Sequence, residues 1–302
     1  MIEKFNFYDI YGYFLPGAVF LAVLWAPFGI VKNSWPSKDL SSAIIAAIVA
    51  YIFGHLLQLV ATNAVPSWSA IDDTGRPRYP SEIYLDGTDE ELPTRSKEDI
   101  SDLMKKQFGL ELQVSQVGDK AIDKLRNNAF LFARQILIQG KAVSYAEQFQ
   151  GMYALTRGLV LVFALACAYW LGWAVAVFRV RFVASAAVII VAGSFIALTN
   201  ISAALLQKIS DPLKRHKFEV FYASGLAMGF LGIGYGLGIR YTVTRSQSAL
   251  LSFLAASAFL ACFRAYGASK FFAGRFAATV WRDSLAYNVR VNTDPKANAE
   301  TH

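Results

Sequence analysis

The sequence predicts an all-α integral membrane protein. It has about six transmembrane helices, a helical cytosolic insert between spans 2 and 3, and an amphipathic C-terminal helix. Three observations predict this. Of 302 residues, 55% are hydrophobic and only 17% are charged, whereas a soluble domain carries about a quarter charged residues. Six runs carry no charge at all: residues 10–31, 40–71, 158–178, 182–207, 220–239 and 246–263, each 18 to 32 residues long. The remaining charges gather mainly in residues 72–156 and in the tail. A helix rises ~1.5 Å per residue and the hydrocarbon layer is ~30 Å thick, so ~20 apolar residues cross it. A soluble helix would instead carry charge on its outer face every turn.

The organisation that follows is residues 1–71 for spans 1 and 2, 72–156 for the insert, 157–265 for spans 3 to 6, and 266–302 for a juxtamembrane helix and disordered tail. Span 1 opens with Phe5, Phe7, Tyr8, Tyr11, Tyr13 and Phe14, an aromatic anchor at the headgroup boundary. Its leader mixes Glu3, Lys4 and Asp9, and no small-residue cleavage site follows, so it reads as a retained span. Pro16 and Gly17 predict a kink or a helix start.

With six spans both termini share a side. Placing them in the cytosol puts 23 lysines and arginines inside against six outside, or 11 against six without the long insert. That bias orients the chain in a cell inner membrane with both termini cytosolic. The net charge of +7 then reads as attraction to anionic lipid rather than to nucleic acid.

The stretch Tyr8-Asp9-Ile10-Tyr11-Gly12-Tyr13-Phe14-Leu15-Pro16-Gly17 resembles the opening of many uncharacterised bacterial multi-span inner-membrane proteins. The stretch Phe149-Gln150-Gly151-Met152-Tyr153-Ala154-Leu155-Thr156-Arg157 resembles the segment leading into a later span of such proteins. Some of them occur beside genes for defence against phage. The resemblance covers about thirty residues, implies no mechanism and carries over no functional residue.

Few polar residues lie within spans: His55 and Gln58 in span 2, Thr199 and Asn200 in span 4. Polar groups in hydrocarbon are costly, so His55, Gln58 and Asn200 are candidates either for an ion pathway or for interhelical contacts. His55 and Gln58, three residues apart, share a helix face. No Asp, Glu, Lys or Arg lies mid-span, which disfavours a proton-coupled transporter. Span 5 holds Gly225, Gly229, Gly232, Gly234, Gly236 and Gly238. No strand precedes them and no Lys-Ser/Thr pair follows, so they are not a phosphate loop. Gly225/Gly229, Gly232/Gly236 and Gly234/Gly238 are small-xxx-small pairs that admit close helix packing and a homo-oligomer, with a flexible gating segment as the competing reading. Cys167 and Cys262 lie inside spans and imply neither disulfide nor metal. No cofactor is implied.

In the insert, 72–93 reads as loop. Ser96 is placed to cap a helix that Gly109 ends. A second helix starts after Gly118, runs through Ala121, Leu125, Phe132, Ile136 and Tyr145, and can continue past Arg157 into span 3. The insert has no His or Cys, and its paired acids Asp72/Asp73 and Glu90/Glu91 read as solvated surface, which argues against an enzyme. Lys214, Arg215, His216 and Lys217 form a basic loop suited to headgroups. After span 6, Phe272, Phe276, Val280, Trp281 and Leu285 make the apolar stripe of a helix that either lies in the membrane surface or docks on the insert. The expected function is a non-enzymatic scaffold, sensor or effector. It oligomerises, receives a cytosolic protein partner through residues 94–150, and acts in phage defence. The alternative is an ion channel or small-molecule transporter.

Overall fold

The computed structural model describes residues 8–36, 39–65, 70–71, 77–85, 92–112, 120–140, 144–178 and 212–293. Their regular structure is helical apart from one two-residue antiparallel ladder that pairs Ala70 with Arg78 and Ile71 with Pro77. Among the described residues, five helical stretches are long and apolar enough to cross a membrane: Asp9–Lys32, Leu40–Ala64, Tyr145–Phe178, Tyr222–Tyr241 and Arg245–Arg290. The run expected over 182–207, with Thr199 and Asn200, lies outside the described residues. The chain divides into two compact units, residues 1–66 with 154–269, and residues 67–153 with 270–302.

In the first unit, a π-helical segment over Asp9–Phe14 runs into α1 (Leu15–Lys32), which ends at Asn33 in the left-handed conformation, one that Asn tolerates. Asp39 caps α2 (Leu40–Ala64), accepting from the Ser42 amide at 2.9 Å and from the Ser41 hydroxyl. Those hydrogen bonds, Ser41's foremost, hold the Asp39 carboxyl down at about 2, because they favour the ionised form. The expected second span reached residue 71, but α2 stops at Ala64. The reason is steric: Val65 precedes Pro66, whose ring disfavours helical geometry in the residue before it, and Val65 is extended at φ −110°, ψ 113°. Charge spacing carries no trace of that boundary.

The outer surface of α2 is apolar: Ile44, Ile45, Ile48, Ile52, Leu56 and Leu59 are all exposed. Soluble monomers rarely present such a continuous face, whereas hydrocarbon solvates it. The inner faces hold Phe20, Leu57, Val162, Tyr169, Trp173 and Leu251 in one core. Helix α6 (Ser144–Val175) and α7 (Pro212–Tyr241) meet at glycines. A Cβ on Gly172 would overlap the Leu231 carbonyl, and one on Gly234 would overlap the Tyr169 carbonyl.

In the second unit, α3 is the single turn Pro80–Ile83, and α4 (Thr94–Phe108) starts at Thr94 with Pro93 at the cap position, so Ser96 sits inside the first turn instead of capping it. Pro93 sets its own φ near the helical value, and its carbonyl accepts from the Lys97 amide at 3.2 Å. Gly109, at φ 67°, closes the helix, and its amide donates back to the Lys105 carbonyl at 3.0 Å, the bond of an αL helix stop. Helix α5 (Lys120–Gln139) follows. It does not continue into the next span, because Gly140 is a turn and Tyr145 belongs to α6.

Helix α8 corrects another expectation. Span 6 and the tail helix are one uninterrupted helix, Arg245–Thr293, about 70 Å long at ~1.5 Å per residue. No proline interrupts it, and the arginine at 264 that ended the apolar run is a good helix former. Its stripe of Ala277, Val280 and Trp281 is buried with Leu85, Leu92, Ile100, Met104, Phe130 and Leu137. The tail therefore docks on the insert, and the two share one core.

Candidate functional site

The first polar site lies where α2, the opening of α1 and α6 come together in the first unit. Gln58 is buried. Its side-chain nitrogen donates to the Gly12 carbonyl at 2.7 Å and to the Ala154 carbonyl at 2.6 Å. The need for the first bond is written in the sequence. The Gly12 carbonyl would receive its α-helical bond from the residue four positions on, which is Pro16, and proline has no N–H to give. Gln58 fills that vacancy. Its oxygen accepts from Arg157 at 3.4 Å, and Arg157 also donates to the Thr62 hydroxyl at 3.1 Å. The amide is thus occupied by three partners, Gly12 on the opening segment and Ala154 and Arg157 on α6.

His55 takes a different place. It is exposed on α2, and its ring stacks on Tyr13 with centroids 3.8 Å apart. His55 and Gln58 consequently do not form a shared polar lining, and Asn200 lies outside the described residues. Replacing Gln58 by leucine takes this donor from the Gly12 carbonyl, whose i+4 residue is proline, and removes the second bond that the Ala154 carbonyl receives beside its helical one. The expected cost is about 2 kcal/mol, read as a lowered unfolding temperature in detergent, with Gln58→Glu less harmful than Gln58→Leu only if Arg157 compensates it.

The glycines of α7 divide by register. Gly229 and Gly232 are buried and Gly225 is half-buried. A Cβ on Gly236 would meet nothing within 4 Å, while one on Gly238 would stand 2.6 Å from the Ala176 Cβ. The tight approach to α6 therefore uses Gly234 and Gly238. The basic group Lys214, Arg215, His216 and Lys217, expected as a loop, lies in the first turns of α7. Pro212 begins that helix, where its fixed φ suits the first position.

The second site is in the other unit. Asp123 is fully buried, with Arg78 at 3.4 Å and Arg126 at 3.3 Å. The paired acids expected as solvated surface, Asp72/Asp73 and Glu90/Glu91, lie outside the described residues. The available signal was the phase of α5: Ile122, Ala129, Ala133 and Leu137 are buried, and Asp123 and Arg126 fall on that same face, three residues apart. Two guanidiniums flank the Asp123 carboxylate in the interior, where charged groups are held only by close pairing.

Next in sequence to these arginines, Tyr79 and Asn127 line a cavity of about 260 Å³. Its polar wall is Tyr79, Ser81, Asn127 and Tyr153, with Ser81 donating to the Asn127 oxygen at 3.3 Å. Its apolar wall is Phe130 and Phe276, with Ala273 and Ala277 leaving the room between them. Aromatic faces with a few convergent hydroxyl and amide groups suit a small, mostly flat organic ligand or an inserted side chain. Among the described residues, no three His, Cys, Asp or Glu side chains gather as metal ligands would.

No family, curated protein or solved structure matches the chain.

Proposed function

We propose that the chain is a non-enzymatic scaffold or sensor of a bacterial inner membrane. Its insert and tail form a cytosolic module that receives a ligand or protein partner. The observation that carries this reading is the double use of α8. The same uninterrupted helix, Arg245–Thr293, supplies an apolar span and, through Ala273, Phe276 and Ala277, a wall of the module's cavity. Helix α6 has the same double character, because Tyr153 lines the cavity and residues 158–178 are apolar. Anything that fills or widens the cavity thus acts on the covalent continuation of two spans.

Oligomerisation of the spans and a role in defence against phage complete the proposal. The outward apolar face of α2 supplies the contact surface for oligomers. Two experiments test it. Mass measurement of the protein in lipid nanodiscs is expected to give a homo-oligomer, and a strictly monomeric particle contradicts the scaffold. Phage challenge of cells carrying the neighbouring genes is expected to give fewer plaques with this gene than without it. Ala277→Phe, which fills the cavity, is expected to abolish that protection, and plaque counts indifferent to the gene's presence refute the defence role.

A further inference from the structure

Three helices of the first unit meet around one fixed tyrosine. Tyr241, the last residue of α7, lies parallel to the buried Trp173 with centroids 5.9 Å apart and stands edge-on to Phe28 at 5.7 Å. Lys32, the last residue of α1, places its Nζ 5.2 Å from the centre of that ring, and the Arg240 guanidinium carbon lies 5.9 Å from the same point. Gln247, in the first turn of α8, donates to the Ile30 and Val31 carbonyls at 3.2 and 3.5 Å, which ties α8 to the end of α1. The Trp25 indole, 6.3 Å from Phe28, donates to the Ser34 carbonyl at 2.8 Å, and the Trp35 ring covers Gly29. Both tryptophans are exposed.

This rim is positive. Lys32, Arg240 and Arg245 are exposed, and among the described residues no carboxylate stands within ion-pair distance of any of them. The connections that the charge-free runs place on this side, residues 32–39, 179–181 and 240–245, carry six lysines and arginines and one acid, Asp39. Asp39 caps α2. Lys32 and Arg240 each end a helix, where the dipole favours positive charge. That accounts for either cation alone, and not for both on one ring. Like charges held together repel, more strongly beside hydrocarbon than in open water, and an anion between them relieves the repulsion.

Depth selects the anion. Lys32 and Arg240 lie at the ends of the apolar stretches Asp9–Lys32 and Tyr222–Tyr241, where hydrocarbon gives way to headgroups, and exposed tryptophans belong at that boundary. The anion abundant there is the lipid phosphate, which guanidinium and ammonium groups bind by charge-assisted hydrogen bonds. A headgroup that adds its own ammonium meets repulsion from the same two cations.

We propose that Lys32 and Arg240, converging on Tyr241, form a binding site for an anionic phospholipid, whose phosphodiester sits between the two cations and whose glycerol and first acyl carbons lie along Trp25 and Trp35.

The test uses the full chain, purified in detergent and mixed with phosphatidylglycerol, phosphatidylethanolamine or inorganic phosphate. Native mass spectrometry then counts what is retained. The wild type is expected to retain phosphatidylglycerol over phosphatidylethanolamine by roughly tenfold, as two cations near a membrane surface confer. Lys32→Gln with Arg240→Gln brings the ratio close to one, and each single change goes part of the way where the double variant folds poorly. Lys32→Arg keeps the preference. Lys106→Gln, which removes an exposed cation of α4, also keeps it. Equal retention of the two lipids by the wild type overturns the site, as does a ratio that Lys106→Gln lowers as far as Lys32→Gln does. Inorganic phosphate that is retained and displaces phosphatidylglycerol overturns the lipid assignment in favour of a free anion.

Discussion

Gly54→Leu separates α1 from α2 and removes the protein from the folded pool. A side chain at Gly54 would run into the Tyr13 carbonyl, and one at Gly17 would run into the Ala50 carbonyl. Each glycine therefore presses on backbone of the opposite helix, and neither obstacle can rotate away. Overpacking of a core costs about 1–3 kcal/mol when side chains can move; here the backbone must move, and the effect is expected to exceed that range. The same crossing places Gln58 over the Gly12 carbonyl, so spreading the helices also exposes a carbonyl that proline has already deprived of its partner. Thermal unfolding in detergent and the yield of monodisperse protein measure the loss. Gly236→Leu is the control, because its Cβ meets nothing within 4 Å, and it is expected to leave both readouts near wild type.

Asp123→Ala is the second large effect, confined to the module. It takes the Asp123 carboxylate away from the buried Arg78 and Arg126 guanidiniums, and removing one partner of a buried ionic group costs about 3–5 kcal/mol. Trypsin should then cut within residues 94–140 many times faster, because cleavage follows the population of the opened module. Replacing all three at once, Arg78→Met with Asp123→Leu and Arg126→Met, removes the charges together and should recover most of the loss. A triple variant as labile as Asp123→Ala would mean that these side chains hold the module by contacts other than their charges.

Both effects bear on what the sequence could disclose. Charge-free runs locate α1, α2, α6 and the span of α8 because hydrocarbon excludes charge whatever the fold around it. Helix ends are another matter. The end of α2 is set by Pro66 acting on Val65, and the continuity of α8 past Arg264 follows from helix propensity, so neither boundary coincides with a charge. The tail stripe was visible as period 3.6, but its partner was not. Membrane surface and insert offer an apolar stripe the same free energy per area, and only tertiary structure shows Trp281 lying against Phe130 at 5.6 Å.

The sites were less legible than the spans. Gln58 could be singled out as a polar residue in an apolar run, yet its task depends on Pro16 in another helix, 42 positions away. The glycines of α7 offer several helical registers, and sequence spacing admits all of them; the carbonyl of Tyr169 and the side chain of Ala176 select Gly234 and Gly238. Asp123 and Arg126 resembled an ordinary surface pair at i, i+3. Their burial involves a segment remote in sequence, because the Asp123 carboxylate pairs with Arg78, 45 positions away. The cavity of Tyr79, Asn127, Tyr153 and Phe276 assembles from four such separated segments and has no local signature at all.

Washing membranes that contain the chain with alkaline carbonate tests the foundation of this account. Retention in the pellet, with release only by detergent, is the predicted result, because the outward faces of α2 and α8 have no other apolar solvent. Release into the carbonate supernatant as a dispersed protein would contradict the account and leave those exposed isoleucines, leucines and phenylalanines to be covered by something other than lipid.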